Sequence, residues 1–215
     1  MSLTLFAPNR GSKGMGGCVI SGCVTVEAEG GLYVVPPSRA VWLPPEVRHA
    51  VWYPREVAFR GVMIRASRCE SLPSRPTVIQ VDPLTRELIR ELTGYAWDYA
   101  PDGREARVVQ VLLERLVDLP ALPLSLPKGR DERVRRVTQA LLEHPLDGRS
   151  LAAWAESIGM SERTLARRFR ADTGMSFGVW RRQLLLVGAL QRLAAGDPVS
   201  TVAFDLGYAS VASFW

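Results

Sequence analysis

The stretch that decides the fold runs from Arg149 to Ala195 and reads RSLAAWAESIGMSERTLARRFRADTGMSFGVWRRQLLLVGALQRLAA. Its first part, Leu151 to Ile158, places Leu151, Ala152, Trp154, Ala155 and Ile158 on one face at i, i+3, i+4 and i+7 spacing, the signature of a short amphipathic helix. Gly159 is placed to end that helix in the left-handed conformation, and Ser161 to cap the next. The second helix is predicted over Glu162 to Asp172, with Leu165 and Phe169 inward. Arg163, Ala166, Arg167 and Arg170 share a different face. Two short helices joined by a tight glycine turn, the second with a basic outer face, form the pattern of a helix-turn-helix. A single helix fits the major groove of B-DNA, and the arginine fork can pair with guanine edges or phosphate. The plainer reading of the same residues is a helical hairpin with a solvated arginine face.

Two features favour the DNA-reading alternative. Between Glu162 and Arg192 the charges are Arg163, Arg167, Arg168, Arg170, Arg181, Arg182 and Arg192 against only Glu162 and Asp172, so acids are scarce where a phosphate backbone would lie. The pattern also repeats: LAAWAESIG (Leu151 to Gly159) returns as VSTVAFDLG (Val199 to Gly207). Leu151 matches Val199, Trp154 matches Val202, Ala155 matches Ala203, Ile158 matches Leu206 and Gly159 matches Gly207, and Ser161 and Ser210 follow as caps. A long helix, Gly178 to Ala194, would join two such units and present them to successive major-groove segments.

These residues resemble the AraC/XylS-type transcription regulators. The resemblance spans Asp131 to Trp215 and rests on Ile158-Gly159, Ser161, Leu165, Arg168-Phe169, Thr173-Gly174, Phe177, Trp180, Arg182, Ala189, Leu193 and Ala203-Phe204-Asp205-Leu206-Gly207-Tyr208. It implies that Arg163, Ala166 and Arg167 face bases and Arg170 lies near phosphate, with Ser161 and Arg182 completing the DNA-binding set. In one respect the chain departs from the family: Leu185-Leu186 stand where an Arg-Leu pair is usual. The second recognition helix would begin near Ser210, with Ala212, Phe214 and Trp215 matching Arg163, Leu165 and Ala166. The position matching Arg167 lies past residue 215, so the second unit is expected to be incomplete. A truncated regulator fragment, impaired in DNA binding, is one alternative function.

Working outward, the 215 residues carry a net charge of +5 and are 47% hydrophobic, a globular composition with room for two small domains. Basicity of this size permits nucleic-acid binding without showing it. Three cysteines without a paired CxxC read as free thiols, Cys18 and Cys23 buried, which suits a reducing cytoplasm. No apolar run reaches the roughly 18 residues of a membrane span, and no signal pattern opens the chain. The expected localisation is cytoplasmic, with no membrane partner.

The N-terminal half reads as β. GSKGMGG (Gly11 to Gly17) lacks the ending of a phosphate loop and is expected to be a flexible segment. Val19 to Val26, Leu32 to Val35, Ala40 to Leu43, His49 to Tyr53 and Val57 to Ile64 read as strands, the first two joined by a turn at Glu29-Gly30-Gly31. Short strands at these intervals suggest a small antiparallel barrel or sandwich. The run VTVEAEGGLYVVPPSRAVWLPPEVRHAV looks like the cupin-type sensing domain of one branch of the same family, mainly through Trp42-Leu43-Pro44-Pro45 and His49.

Cupin enzymes hold a metal with several His and an acid, which makes a cupin-type metal enzyme the remaining alternative. Two His, His49 and His144, cannot fill a three-ligand shell with distant Glu46, so no metal, cofactor or catalytic residue is assigned. Trp42, His49 and Trp52 are the candidate ligand-pocket residues, with Tyr33 and Tyr53 beside them; packing within the β core is the other reading.

Leu84 to Tyr99 and Arg104 to Leu119 read as helices, the second with two apolar stripes suited either to intrasubunit burial or to dimerisation. Pro120 to Lys128 is a proline-rich extended linker. Arg133 to Glu143 would brace the first helix-turn-helix. The expected fold is thus α+β: a cupin-like antiparallel β domain (1–72), a helical extension suited to dimerisation or to intrasubunit burial (73–120), a linker (121–130) and an all-α tandem helix-turn-helix domain (131–215), its second unit incomplete. The expected partners are double-stranded DNA, a small-molecule effector and a second copy of the chain.

Overall fold

The computed structural model describes residues 2–4, 13–28, 30–53, 57–96 and 98–208. The chain divides into two compact units, one formed by residues up to Glu29 together with Tyr33–Leu124, the other by Gly30–Leu32 and residues from Ser125 onward.

The first unit begins with β1 (Ser2–Thr4), β2 (Lys13–Ser21), β3 (Val24–Ala28) and β4 (Gly31–Val35). β5 (Arg39–Leu43), β6 (His49–Tyr53), β7 (Ala58–Arg65) and β8 (Thr77–Gln80) follow. After β8 come α1 (Pro83–Leu92), α2 (Arg104–Asp118) and the short β9 (Ala121–Leu122). Two antiparallel sheets result, ordered β1-β6-β3-β4 and β7-β2-β5-β8-β9. The β class is as expected, in the form of two sheets rather than one closed barrel. The predicted single strand Val19 to Val26 is two strands, because Gly22 takes a φ of 77° and turns the chain between them.

The glycine-rich run is the main correction to the sequence reading. Lys13 to Gly17 is not a flexible segment; it is the first half of β2, a central strand paired with both β5 and β7. Its glycines clear space for aromatic rings. A Cβ at Gly14 would collide with the Trp42 indole, and one at Gly17 with the Phe59 ring. Strands weakened by glycine often mark such close approaches.

Trp42 is buried, and its indole N–H donates to the Pro73 carbonyl at 2.7 Å. It shares a core with Cys18, Ala40, Ile79, Ile89 and Leu112, on the sheet face covered by α1 and α2. By strand alternation Val41 and Leu43, also buried, point to the opposite face. α1 stops at Leu92 rather than continuing to Tyr99: Thr93 and Gly94, weak helix formers, close it with turn hydrogen bonds. On α2, Leu112, Leu113 and Leu116 are buried, whereas Val111 and Val117 stay exposed. A polar clasp ties the helices. Asp82 caps α1 through the Thr85 N–H and accepts from Arg115 at 2.9 Å, which holds its carboxyl well below the usual carboxylate range.

In the second unit the start of β4 lies against β10 (Ser125–Pro127), and Lys128 N–H donates to the Gly30 carbonyl. Pro120 to Lys128 is therefore extended but not free of partners, since β9 pairs with β8. α3 (Glu132–Glu143), α4 (Leu151–Ser157), α5 (Glu162–Thr173), α6 (Phe177–Ala194) and α7 (Val199–Asp205) complete the all-α region.

Candidate nucleic-acid interface

The interface is built from α4, its turn and α5. Ser150 caps α4 by accepting from the Ala153 N–H, and Trp154 and Ala155 are buried beneath it. Ala152, placed inward by periodicity, is exposed instead. The Arg149 guanidinium stacks 3.5 Å from the centroid of the Trp154 ring. Asp147 accepts from the Arg149 side chain and N–H, which pulls its carboxyl down to about 2. At the turn Gly159 takes φ 68°, a conformation that costs a residue with a Cβ roughly 1–2 kcal/mol. The Gly159 N–H donates to Glu156 and the Met160 N–H to Ala155, which satisfies the last carbonyls of α4.

α5 then starts on Ser161, whose hydroxyl accepts from the Thr164 N–H. The serine assigned to DNA binding thus acts as a helix cap at the exposed entry to α5. Leu165 and Phe169 are fully buried, and Phe169 meets Phe177 and Trp180 edge to face at 5.6 and 5.9 Å. Trp180 is anchored in turn by its indole N–H on the Pro127 carbonyl at 2.8 Å. Because this side is fixed inward, the helical period turns Arg163, Arg167 and Arg170 outward, all exposed, with Ala166 half-buried between them. Among the described residues none of the three guanidiniums has a hydrogen-bond or ion-pair partner.

The other arginines of the basic run divide differently. Arg182 is exposed on α6. Arg168 pairs with Asp131 at 2.8 Å, and Asp172 accepts from the backbone N–H groups of Arg130 and Asp131. Asp131, which caps α3 through the N–H groups of Arg133 and Val134, has its carboxyl lowered first by the Arg133 N–H and then by Arg168. Arg181 donates to the carbonyls of Asp147 and Arg149, and Arg192 pairs with Asp197 and Asp205 at 2.9 and 2.8 Å. The sequence reading set seven arginines of this run against two acids. The structure pairs Arg168, Arg181 and Arg192 with protein groups and leaves Arg163, Arg167, Arg170 and Arg182 exposed, without a side-chain partner among the described residues. For Arg168 the partner, Asp131, lies 37 residues away along the chain, past the nearer acids Glu162 and Asp172, so no local signal announced the pair.

The candidate ligand-pocket set does not assemble. Trp42 belongs to one sheet and faces the helices, whereas His49 and Trp52 lie on β6 of the other sheet. The cavity beside Trp42 is about 20 Å³, room for roughly one water. His49 Nδ1 lies 3.0 Å from the Val47 carbonyl, and its buried Nε2 has no partner among the described residues. Trp52 sits in register between Leu3 and Thr25. Cys18 and Cys23 are buried thiols, Cys23 pushed up to about 11 by that burial. Among the described residues no three His, Cys, Asp or Glu side chains cluster as metal ligands.

A family model described as a helix-turn-helix domain matches residues 154–215. The HTH-type transcriptional regulator NimR of Escherichia coli K12 is 34% identical over 195 residues, which is 91% of this chain and 71% of that protein. The chain belongs to the AraC/XylS-type family of helix-turn-helix transcriptional regulators. The HTH-type transcriptional regulator RipA of Corynebacterium glutamicum is 35% identical over 132 residues, 61% of this chain and 36% of that protein. Among solved structures, ToxT from Vibrio cholerae is similar at a TM-score of 0.38 and 12% identity, over 99% of this chain and 87% of that one.

In this AraC/XylS-type chain the second helix-turn-helix segment, α7 and its turn, repeats α4 and its turn as far as it is described. α7 ends at Asp205 and is followed by Leu206 and by Gly207, which takes φ 86°. The predicted second recognition helix, with Ser210, Ala212, Phe214 and Trp215, lies outside the described residues. Among the described residues no helix is long and apolar enough to cross a membrane.

Proposed function

We propose that this regulator reads double-stranded DNA through α5, with Arg163, Ala166 and Arg167 against base edges and Arg170 and Arg182 against phosphates. The observation that carries this reading is the split on one helix: Leu165 and Phe169 fully buried, and Arg163, Arg167 and Arg170 exposed without protein partners among the described residues. An arginine without an internal acid keeps its whole fork for guanine or phosphate. In the same reading the first unit senses a small-molecule effector, and the chain acts in the cytoplasm as a homodimer, supported by the exposed Val111 and Val117 of α2. Sedimentation of the chain with Val111→Asp would report that association. The family is one of transcriptional regulators, so the chain is read as a regulator rather than an enzyme.

The test is selection of bound duplexes from a randomised pool by the full chain, followed by affinity titrations at rising salt. Arg170 and Arg182 on phosphates in each copy of a homodimer make four phosphate contacts and predict a slope of log affinity against log salt of about −3.6 or steeper. No enrichment of any sequence at low salt would sink the proposal.

A further inference from the structure

α5 is held from two directions, and the two holds differ in kind. Leu165 and Phe169 pin it through apolar packing, which has no preferred direction. On another side, turned away from Arg163 and Arg167 by the helical period, lie Arg168 and Asp172, one turn apart. Both tie α5 to the segment that starts α3. The Arg168 tie is a long side chain reaching Asp131, with 43% of it in solvent. The Asp172 tie is short and lands on backbone: a single oxygen, Oδ2, accepts from the Arg130 N–H at 2.7 Å and from the Asp131 N–H at 2.9 Å.

The segment that receives it is itself fixed. The Pro127 carbonyl accepts from Trp180 of α6, and the Lys128 carbonyl accepts from the Thr138 hydroxyl of α3 at 2.7 Å. Gly129 passes so close that a Cβ there would stand 2.5 Å from the same Asp172 oxygen. An acid in the last turn of α5 opposes the dipole of its own helix, but at Arg130 and Asp131 it meets the positive end of α3.

We propose that Asp172 is a positioning residue for DNA reading, a role that rests on α5 being the DNA-reading helix. Apolar packing sets how deep α5 lies. The two backbone bonds set its roll about its own axis, and with it where the Arg163 and Arg167 forks point. Groups that read a ligand need holding within about 0.5 Å and 10–20°. The Arg168 tie, built on rotatable bonds, yields to such a roll and adds stability only.

The experiment measures affinity of full-chain variants toward the selected duplex and toward a scrambled duplex of equal length, at one salt concentration and below each variant's melting temperature. Asp172→Ala and Asp172→Asn remove the same charge, but the amide oxygen of the second still accepts two N–H bonds, as the carboxylate oxygen did. Affinity for the scrambled duplex should therefore rise equally in both. The ratio of selected to scrambled affinity should stay near the parent's in Asp172→Asn and fall about five-fold or more in Asp172→Ala, the discrimination of one arginine–guanine pair. Gly129→Ala, which crowds the carboxylate from the other side, should lower the ratio as well and reads the same bond if Asp172→Ala does not fold. An unchanged ratio in Asp172→Ala and Gly129→Ala, the mark of a structural role alone, would overturn the proposal. So would an equal fall in Asp172→Ala and Asp172→Asn, the mark of charge alone. If the parent chain selects no duplex, the DNA-reading account falls and takes this role with it; a discriminating parent beside variants of equal ratio removes the Asp172 role alone.

Discussion

The two helix-turn segments of the second unit, α4 with Gly159 and α7 with Gly207, are copies in backbone and strangers in side chain. In both, the same hydrogen bonds recur: Trp154 N–H to Ser150 and Val202 N–H to Pro198, each at 3.0 Å, then Gly159 to Glu156 and Gly207 to Phe204, again each at 3.0 Å. The following residue closes both turns, Met160 on Ala155 and Tyr208 on Ala203. What differs is how each is fastened. α4 has a serine cap and an indole under Arg149. α7 has Pro198 without a side-chain cap and is tied by Arg192 to Asp205. The turn is thus encoded locally, by small apolar residues and one glycine, while attachment to the domain depends on residues that need not repeat.

The largest break in the comparison is expected at the buried matched pair. Trp154→Ala should cost about 3–5 kcal/mol in denaturant unfolding, as large-to-small core changes do. Val202→Ala, fully buried but smaller, should cost no more than about 1.5–3 kcal/mol, the worth of burying a whole valine side chain. Next come the turns. Gly159→Ala and Gly207→Ala should each cost about 1–2 kcal/mol and agree with one another, because both replace a glycine at positive φ with open space around it. Unequal losses would show that the turns are not equivalent. Smaller again, Ser150→Ala should cost about 1 kcal/mol, while Pro198→Ala, which removes no side-chain cap, should stay within about 0.5 kcal/mol.

An effect of the same size as the serine cap concerns the polar fastening of the other unit, Arg115 on Asp82. The Asp82 carboxyl is lowered in the fold, so its contribution is complete above the ordinary carboxylate range and is lost as pH falls toward the lowered folded value. With both side chains about one-third exposed, the effect is about 1 kcal/mol. Melting temperatures from pH 6 down to pH 3 should fall less steeply for Asp82→Asn than for the parent chain.

The same contrast between local and distant causes explains what the sequence revealed. Leu165, Phe169, the Ser161 cap and the Gly159 turn were legible because helical period and caps are written within a few residues. The outward position of Arg163 and Arg167 followed from them. The fate of Arg181 was not legible: its partners are carbonyls of Asp147 and Arg149, and a carbonyl carries no sequence signature. The run Gly14 to Gly17 looked flexible by composition, since nothing near it announces that Trp42 and Phe59 need its missing side chains. Trp42, His49 and Trp52 suggest a pocket only by residue type, and strand alternation alone does not say which sheet face α1 and α2 cover.

The central claim, that neighbouring arginines on α5 have opposite jobs, is tested most directly by Arg167→Ala beside Arg168→Ala, each measured for melting temperature and for affinity toward the selected duplex. The account predicts that Arg167→Ala loses about 1–3 kcal/mol of base discrimination with its melting temperature unchanged. Arg168→Ala, which breaks the pair with Asp131, should lower the melting temperature and leave base preference intact. Equal DNA losses in the two variants, or a stability loss confined to Arg167→Ala, would contradict it.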